Sequence, residues 1–259
     1  MTWFEVMGII STSALFLPII IIFALRLAWY KSFPALLVYY AMVASQNFLS
    51  LAFIHVNKDF VRDYGVISNF LDAPLMLAFL TYFSKTASFR KKMKLVIPIF
   101  VLFELIVIAA KGFDIYSAMI IILPPGLLLV LYFSAVFFFH QAKITIIHQK
   151  AAGKAFIVAS LLFAYGGYSF IYVVYYLLKT PYKTDTYVIY YLVSIFSSLL
   201  LATGIIFERR RVSQLAELQT AREELKVIYG RAETETAAPK KSSRIGKIAL
   251  SIRSNTSRH

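Results

Sequence analysis

Along this chain, long unbroken apolar stretches alternate with short polar and basic ones. The stretches fall at roughly 4–28, 35–56, 66–84, 95–110, 115–139, 155–178 and 187–207. Runs of about 20 apolar residues have the length of a helix that crosses hydrocarbon, whereas strands of a membrane barrel would alternate apolar with polar positions. The pattern predicts an all-α membrane fold, a seven-transmembrane helix bundle. Its fourth span is the shortest. No period of 20–50 residues recurs, which argues against a solenoid.

The basic residues between the stretches orient them. The connections after the first, third and fifth spans hold Arg26 and Lys31, then Lys85, Arg90, Lys91, Lys92 and Lys94, then Lys143, Lys150 and Lys154. The connections after the second, fourth and sixth hold Lys58 and Arg62, Lys111, and Lys179 and Lys183. Ten against five, with 12 more basic residues from Arg209 onward, places the first set and the tail in the cytoplasm by the positive-inside rule. The expected topology has the N-terminus outside and the C-terminus cytoplasmic. An odd number of spans requires the same.

Composition agrees. The chain is 59% hydrophobic and only 15% charged, with a mean hydropathy of +0.71, where a soluble domain carries about a quarter charged residues. The net charge of +14 belongs to membrane-flanking loops and the tail, so no nucleic acid partner is expected. The absence of cysteine rules out disulfides, thiolate metal sites and cysteine nucleophiles. Met1-Thr-Trp-Phe-Glu5 lacks a basic leader region, so no cleaved signal peptide is expected. The expected location is a bacterial cytoplasmic (inner) membrane, with the lipid bilayer as the first partner.

Past the bundle, assigned to residues 1–207, residues 208–231 read as a cytoplasmic amphipathic helix of strong helix formers, with Gly230 as its stop. Leu218, Ala221, Leu225 and Ile228 repeat at three and four residues, two heptads of an apolar seam. Two readings stand side by side: a helix lying against the bundle, or a relay that binds a cytoplasmic partner or homodimerises through 208–229. Residues 232–259 read as a basic, disordered tail. Within it Ile245, Ile248 and Ile252 share a face flanked by Arg244, Lys247 and Arg253, the pattern of a segment that touches an anionic leaflet or of a plain basic tail.

Polar residues inside the spans carry the candidate chemistry. Charges in hydrocarbon are costly and usually face the bundle interior. Two acids sit well inside: Asp72, in Val66-Ile-Ser-Asn-Phe-Leu-Asp-Ala-Pro-Leu-Met-Leu-Ala-Phe-Leu80, and Glu104 in the fourth span. At 1.5 Å per residue both lie about 9–10 Å from the outer face, at one level. Asn69 shares the Asp72 face. Gln46 and Asn47 sit somewhat deeper in the second span. Tyr165, Tyr168, Tyr172 and Tyr176 form one stripe of the sixth span, and Tyr187, Tyr191, Ser194 and Ser198 continue the device in the seventh. Buried tyrosine hydroxyls need partners, and carboxylates accept from them. The convergence predicts an outward-opening pocket that binds a ligand or protons. The alternative is a set of interhelical hydrogen bonds of about 0.6–2 kcal/mol each. Pro74, Pro124 and Pro125 free helix carbonyls and widen space at this level, and Gly166-Gly167 permits a close approach or a bend.

Asp72-Ala-Pro-Leu-Met-Leu77 resembles the Thr-x-Pro-Leu-Leu-Leu type run in the third span of the microbial rhodopsins, a seven-helix family with the N-terminus outside. Tyr165-Gly-Gly-Tyr-Ser-Phe-Ile-Tyr172 resembles that family's Trp-x-x-Tyr-Pro-x-x-Trp pattern, with Ser169 in place of the proline. The resemblance implies a ligand pocket within the bundle. The family's retinal needs a Schiff-base lysine in the seventh span, and Tyr187–Gly204 contains none. Covalent retinal is therefore not expected, and no other cofactor is indicated. The Arg and the Asp-Trp that precede the proline in the family's pumps are missing as well.

His55 and His140 fall at opposite span ends, so no haem or metal pair is expected in the membrane. No phosphate loop, nucleophile elbow or zinc-protease motif appears, which leaves an enzyme as the least favoured class. The leading expectation is a receptor or sensor with a polar pocket and a cytoplasmic relay helix. A small-solute or proton-coupled transporter comes second, and a structural subunit of a membrane complex third.

Overall fold

A computed structural model describes residues 3–50, 57–84, 86–112, 114–148, 152–174, 178 and 183–237. Helices α1 (Trp3–Ala24), α2 (Phe33–Ser50) and α3 (Lys58–Leu80) are followed by a 3-10 turn, Thr81–Phe83. Helices α4 (Ala87–Ala110), α5 (Ile115–His148), α6 (Ala152–Tyr172) and α7 (Lys183–Ala237) complete the order. No strand occurs among the described residues. All but α2 are long and apolar enough to cross a membrane, six in number. Helix α2 is 18 residues long and dilutes its apolar content with Tyr39, Tyr40, Ser45, Gln46 and Asn47; residues 51–56, the rest of the stretch expected there, lie outside the described residues. The fourth span, expected to be shortest, is a 24-residue helix, because Thr86 caps it early by accepting from the Phe89 N–H at 3.3 Å and the basic Arg90–Lys94 run stays helical.

The surfaces agree with hydrocarbon as the surroundings. Leu95, Ile99, Leu102, Leu105 and Ile106 form an exposed apolar flank on α4, and Leu128, Tyr132 and Phe139 do the same on α5. In water such faces would demand burial; against lipid chains they cost nothing.

Helix α3 is the hub, packed against α2, α4 and α5. At its C-terminal end a plug of rings fills the bundle. Phe33 meets Phe79 at 5.6 Å and Tyr82 at 5.5 Å between centroids, Phe79 meets Phe83 at 5.6 Å, and Phe83 meets Phe137 at 6.1 Å. Edge-to-face ring pairs add about 0.5–1.5 kcal/mol each beyond their burial. Lys31 and Lys154 lie against the Tyr82 ring and Arg90 against the Ser84 carbonyl, which makes this the basic end of the bundle.

Helices α6 and α7 cross almost backbone to backbone. A Cβ on Gly204 would stand 2.7 Å from the Ile157 nitrogen, and one on Gly153 2.4 Å from the Glu208 nitrogen. Further along, Gly167 admits Val193, whose side chain would lie 2.6 Å from an added Cβ, whereas Gly166 faces open space. Of the Gly166-Gly167 pair only the second makes the close approach that the sequence suggests. Small residues permit such crossings where no hydrophobic drive separates helix from lipid.

The chain divides into two compact units, Met1–Arg211 and Val212–His259. The first extends beyond residue 207 because Glu208 and Arg211 are tied into the bundle. In the second, the helix runs through Gly230, the expected stop, to Ala237. A lone glycine costs a helix only about 1 kcal/mol, and Arg231, Ala232 and Glu233 resume strong helix formers. Leu215, Leu218 and Leu225 are exposed there. Residues 238–259, with the basic Ile245–Arg253 segment, lie outside the described residues, as do His55 and Tyr176.

Replacing Gly204 by Val should force the α6–α7 backbones apart. A cost of about 3 kcal/mol lowers the melting temperature in detergent by roughly 10 °C. Gly166→Ala should leave it unchanged or slightly raised. Scanning fluorimetry with size-exclusion chromatography reads both.

A polar pocket between α2, α3, α5, α6 and α7

Helical periodicity brings the polar groups together. On α2, Tyr39, Val43, Gln46, Asn47 and Ser50 share a face, and on α3 Ser68, Asn69 and Asp72 do. Helix α6 adds Tyr168 and Tyr172, α7 adds Tyr187, Tyr190 and Tyr191, and α5 adds Leu123 and Leu127. Together they line an open cavity of about 500 Å³ in the half of the bundle away from the basic end. The volume is that of a small-molecule site.

Asp72 is the charged member of the lining. The Tyr165 hydroxyl donates to it, and Tyr39 presents its own hydroxyl to the same carboxyl group. Three helices thus meet at one side chain. The Asn47 amide donates to the Tyr190 hydroxyl at 3.1 Å, and the Tyr168 and Ser194 hydroxyls lie 3.5 Å apart. Tyr172 has a structural task that follows from the sequence. Pro124 lacks an N–H, so the carbonyl of Ile120, four residues earlier, loses its helix donor. The Tyr172 hydroxyl donates to that carbonyl at 2.9 Å.

Of the sequence candidates, Asp72, Asn69, Gln46, Asn47, Tyr168, Tyr172 and Tyr191 all face the cavity. Tyr165 lies behind Asp72, almost fully buried, and Ser194 is buried behind Tyr168. Glu104 does not reach the main cavity. It borders a second one of about 10 Å³, shared with Asn69, Asp72, Phe100 and Gly126. That volume accommodates about one water molecule. Glu104 is 1% exposed, and among the described residues neither of its carboxyl oxygens has a hydrogen-bond partner. The two acids share a level, as helix rise predicts, and their cavities adjoin. Among the described residues no group of three or more His, Cys, Asp or Glu is placed to hold a metal ion.

Tyr39 and Tyr190 escaped the sequence reading. Their spacing from Gln46 and from Ser194 on the same faces was the available signal. The basic end was missed as well. There Glu208, fully buried, accepts from the Tyr82 hydroxyl at 2.5 Å and from both Nε and Nη2 of Arg211, at 2.9 and 2.5 Å. Lys154 lies 4.6 Å over the Tyr82 ring and Lys31 5.7 Å from it. In sequence, Phe207-Glu-Arg-Arg-Arg211 looks like the start of a solvated basic tail.

The chain matches no family model, no characterised relative and no solved structure. Its function must be read from its own residues.

Removing the Glu208 carboxylate leaves Tyr82 unpaired and several cations facing one another. Glu208→Ala should cost about 2–4 kcal/mol, at the lower side of a fully buried pair because Arg211 is partly exposed. Tyr82→Phe should cost about 1–2 kcal/mol. Thermal unfolding of the purified variants measures both; equal, negligible shifts would mean that this knot of Tyr82, Glu208 and Arg211 contributes nothing.

Proposed function

We propose that the chain is a seven-span receptor-like membrane protein, N-terminus outside and C-terminus cytoplasmic. It binds a small polar molecule in the outward-facing pocket and passes its occupancy to the basic, cytoplasmic end. The observation that carries this reading is that one continuous helix, α7, holds both Tyr190 and Tyr191 at the pocket and Glu208 and Arg211 at the knot. At 1.5 Å per residue the two sites are about 27 Å apart along it. The aromatic plug supports the same reading, since it closes the bundle between pocket and cytoplasm. The exposed leucines of residues 212–237 would then meet a cytoplasmic partner or a second copy.

A transporter is the second reading, favoured by Glu104. A buried acid with no hydrogen-bond partner, one water-sized cavity from the pocket, is placed to take up and release a proton.

Native mass spectrometry of gently solubilised protein, followed by hydrogen exchange, tests the reading. A co-purifying small molecule should be present in the parent protein and lost in Asn69→Trp, which fills the cavity. Its removal should change amide exchange over residues 200–211. Occupancy with no change there would exclude the relay, and uptake into proteoliposomes abolished by Glu104→Gln would establish the transporter. A clean apo mass with no uptake would leave the pocket as packing.

A further inference from the structure

The lining of the pocket also specifies a charge. Among the described residues Asp72 is the only carboxyl group on the main cavity, and Glu104 adds a second next door. No Lys, Arg or His borders either cavity among the described residues. An anionic ligand would meet the Asp72 carboxylate in a low-dielectric site, with no cation among the described lining residues to offset the repulsion. A cation would neutralise the site.

The tyrosines favour the same sign. Four of the lining hydroxyls are already engaged within the protein: Tyr39 with Asp72, Tyr168 with Ser194, Tyr172 with the Ile120 carbonyl, and Tyr190 with Asn47. What these residues have left for a ligand is ring surface. The Tyr168 and Tyr190 rings stand 5.9 Å apart at 30°, Tyr190 and Tyr191 5.9 Å apart at 63°. Tyrosine rings and one carboxylate on the lining of a single cavity are the components of an aromatic cage, the arrangement that recognises ammonium groups. Gln46, Asn69 and Ser50 remain along the wall for the neutral polar part of the ligand.

We infer that the pocket, if it is the ligand site proposed above, takes a small organic monocation, an amine or quaternary ammonium compound. Its charged head sits between Asp72 and the tyrosine rings.

Three probes of one shape and different charge test this on the full-length protein in nanodiscs by calorimetry. Choline is the cation, 3,3-dimethylbutan-1-ol its uncharged carbon isostere, and 3,3-dimethylbutanoate the anion. Choline should bind at least tenfold more tightly than the alcohol, and the carboxylate should not bind. Asp72→Asn should weaken choline at least tenfold. Tyr191→Phe, which keeps the ring, should stay within threefold of the parent, whereas Tyr191→Leu should lose tenfold or more; this pair keeps the test alive where Asp72→Asn fails to fold. Equal binding of choline and the alcohol, or tighter binding of the carboxylate, overturns the cation assignment. If that binding is abolished in Asn69→Trp, the pocket itself stands. Failure of all three probes at 10 mM overturns the assignment too, and a neutral or anionic molecule co-purifying with the parent then shows that the ligand site survives without it.

Discussion

A polar group inside hydrocarbon finds no partner in the lipid, so it must be met by the bundle or face a cavity within it. Asp72 concentrates that constraint. Its carboxyl group is met by hydroxyls from Tyr165 on α6 and Tyr39 on α2, and its own helix is the one that α2, α4 and α5 surround. Rotation of α3 would strand one acid and two hydroxyls together, a penalty of several unmade hydrogen bonds at about 1–3 kcal/mol each. The register of α2, α3 and α6 therefore depends on this side chain. The same geometry leaves Asp72 facing a cavity rather than packed shut, so the group that orders the bundle is also the group a ligand would touch.

Proline chemistry shows how one requirement generates the next. Pro124 frees the Ile120 carbonyl, which needs a donor at membrane depth. Tyr172 provides it from α6, and in doing so turns its ring toward the cavity. Asn47 and Tyr190 pair across α2 and α7 in the same manner. Each hydroxyl spent on the scaffold brings another aromatic face to the lining, which is why a pocket rich in tyrosine offers few free donors.

Much of this was legible in the chain because helical period and depth are simple functions of residue number. Asp72, Asn69 and the Tyr165-Tyr168-Tyr172 stripe follow from spacings of three and four, and the common level of Asp72 and Glu104 follows from rise per residue. Tyr39 and Tyr190 were obscured by neighbouring tyrosines, since Tyr39-Tyr40 and Tyr190-Tyr191 offer two faces and periodicity alone does not choose between them. Gly153 and Gly204 lie 51 positions apart, and a close crossing of two backbones has no local signature. Glu208 was hidden by its context: three arginines after it suggest solvent, while its burial depends on Tyr82, a residue 126 positions away. What sequence conceals here is pairing between distant segments.

The two ends of the bundle weigh differently on receptor and transporter. For a solute to pass, the plug around Phe33, Phe79, Phe83 and Phe137 would have to come apart, and each ring pair there contributes about 0.5–1.5 kcal/mol beyond its burial. A relay requires much less. Tyr190 moves with α7, and a small displacement of α7 is enough to alter the 2.5 Å bond from Tyr82, outside α7, to Glu208 on it, which is short and directional. The knot is thus the more sensitive of the two elements at the basic end, and the plug the more resistant. That ordering favours a bundle that reports what its pocket holds over one that lets it through.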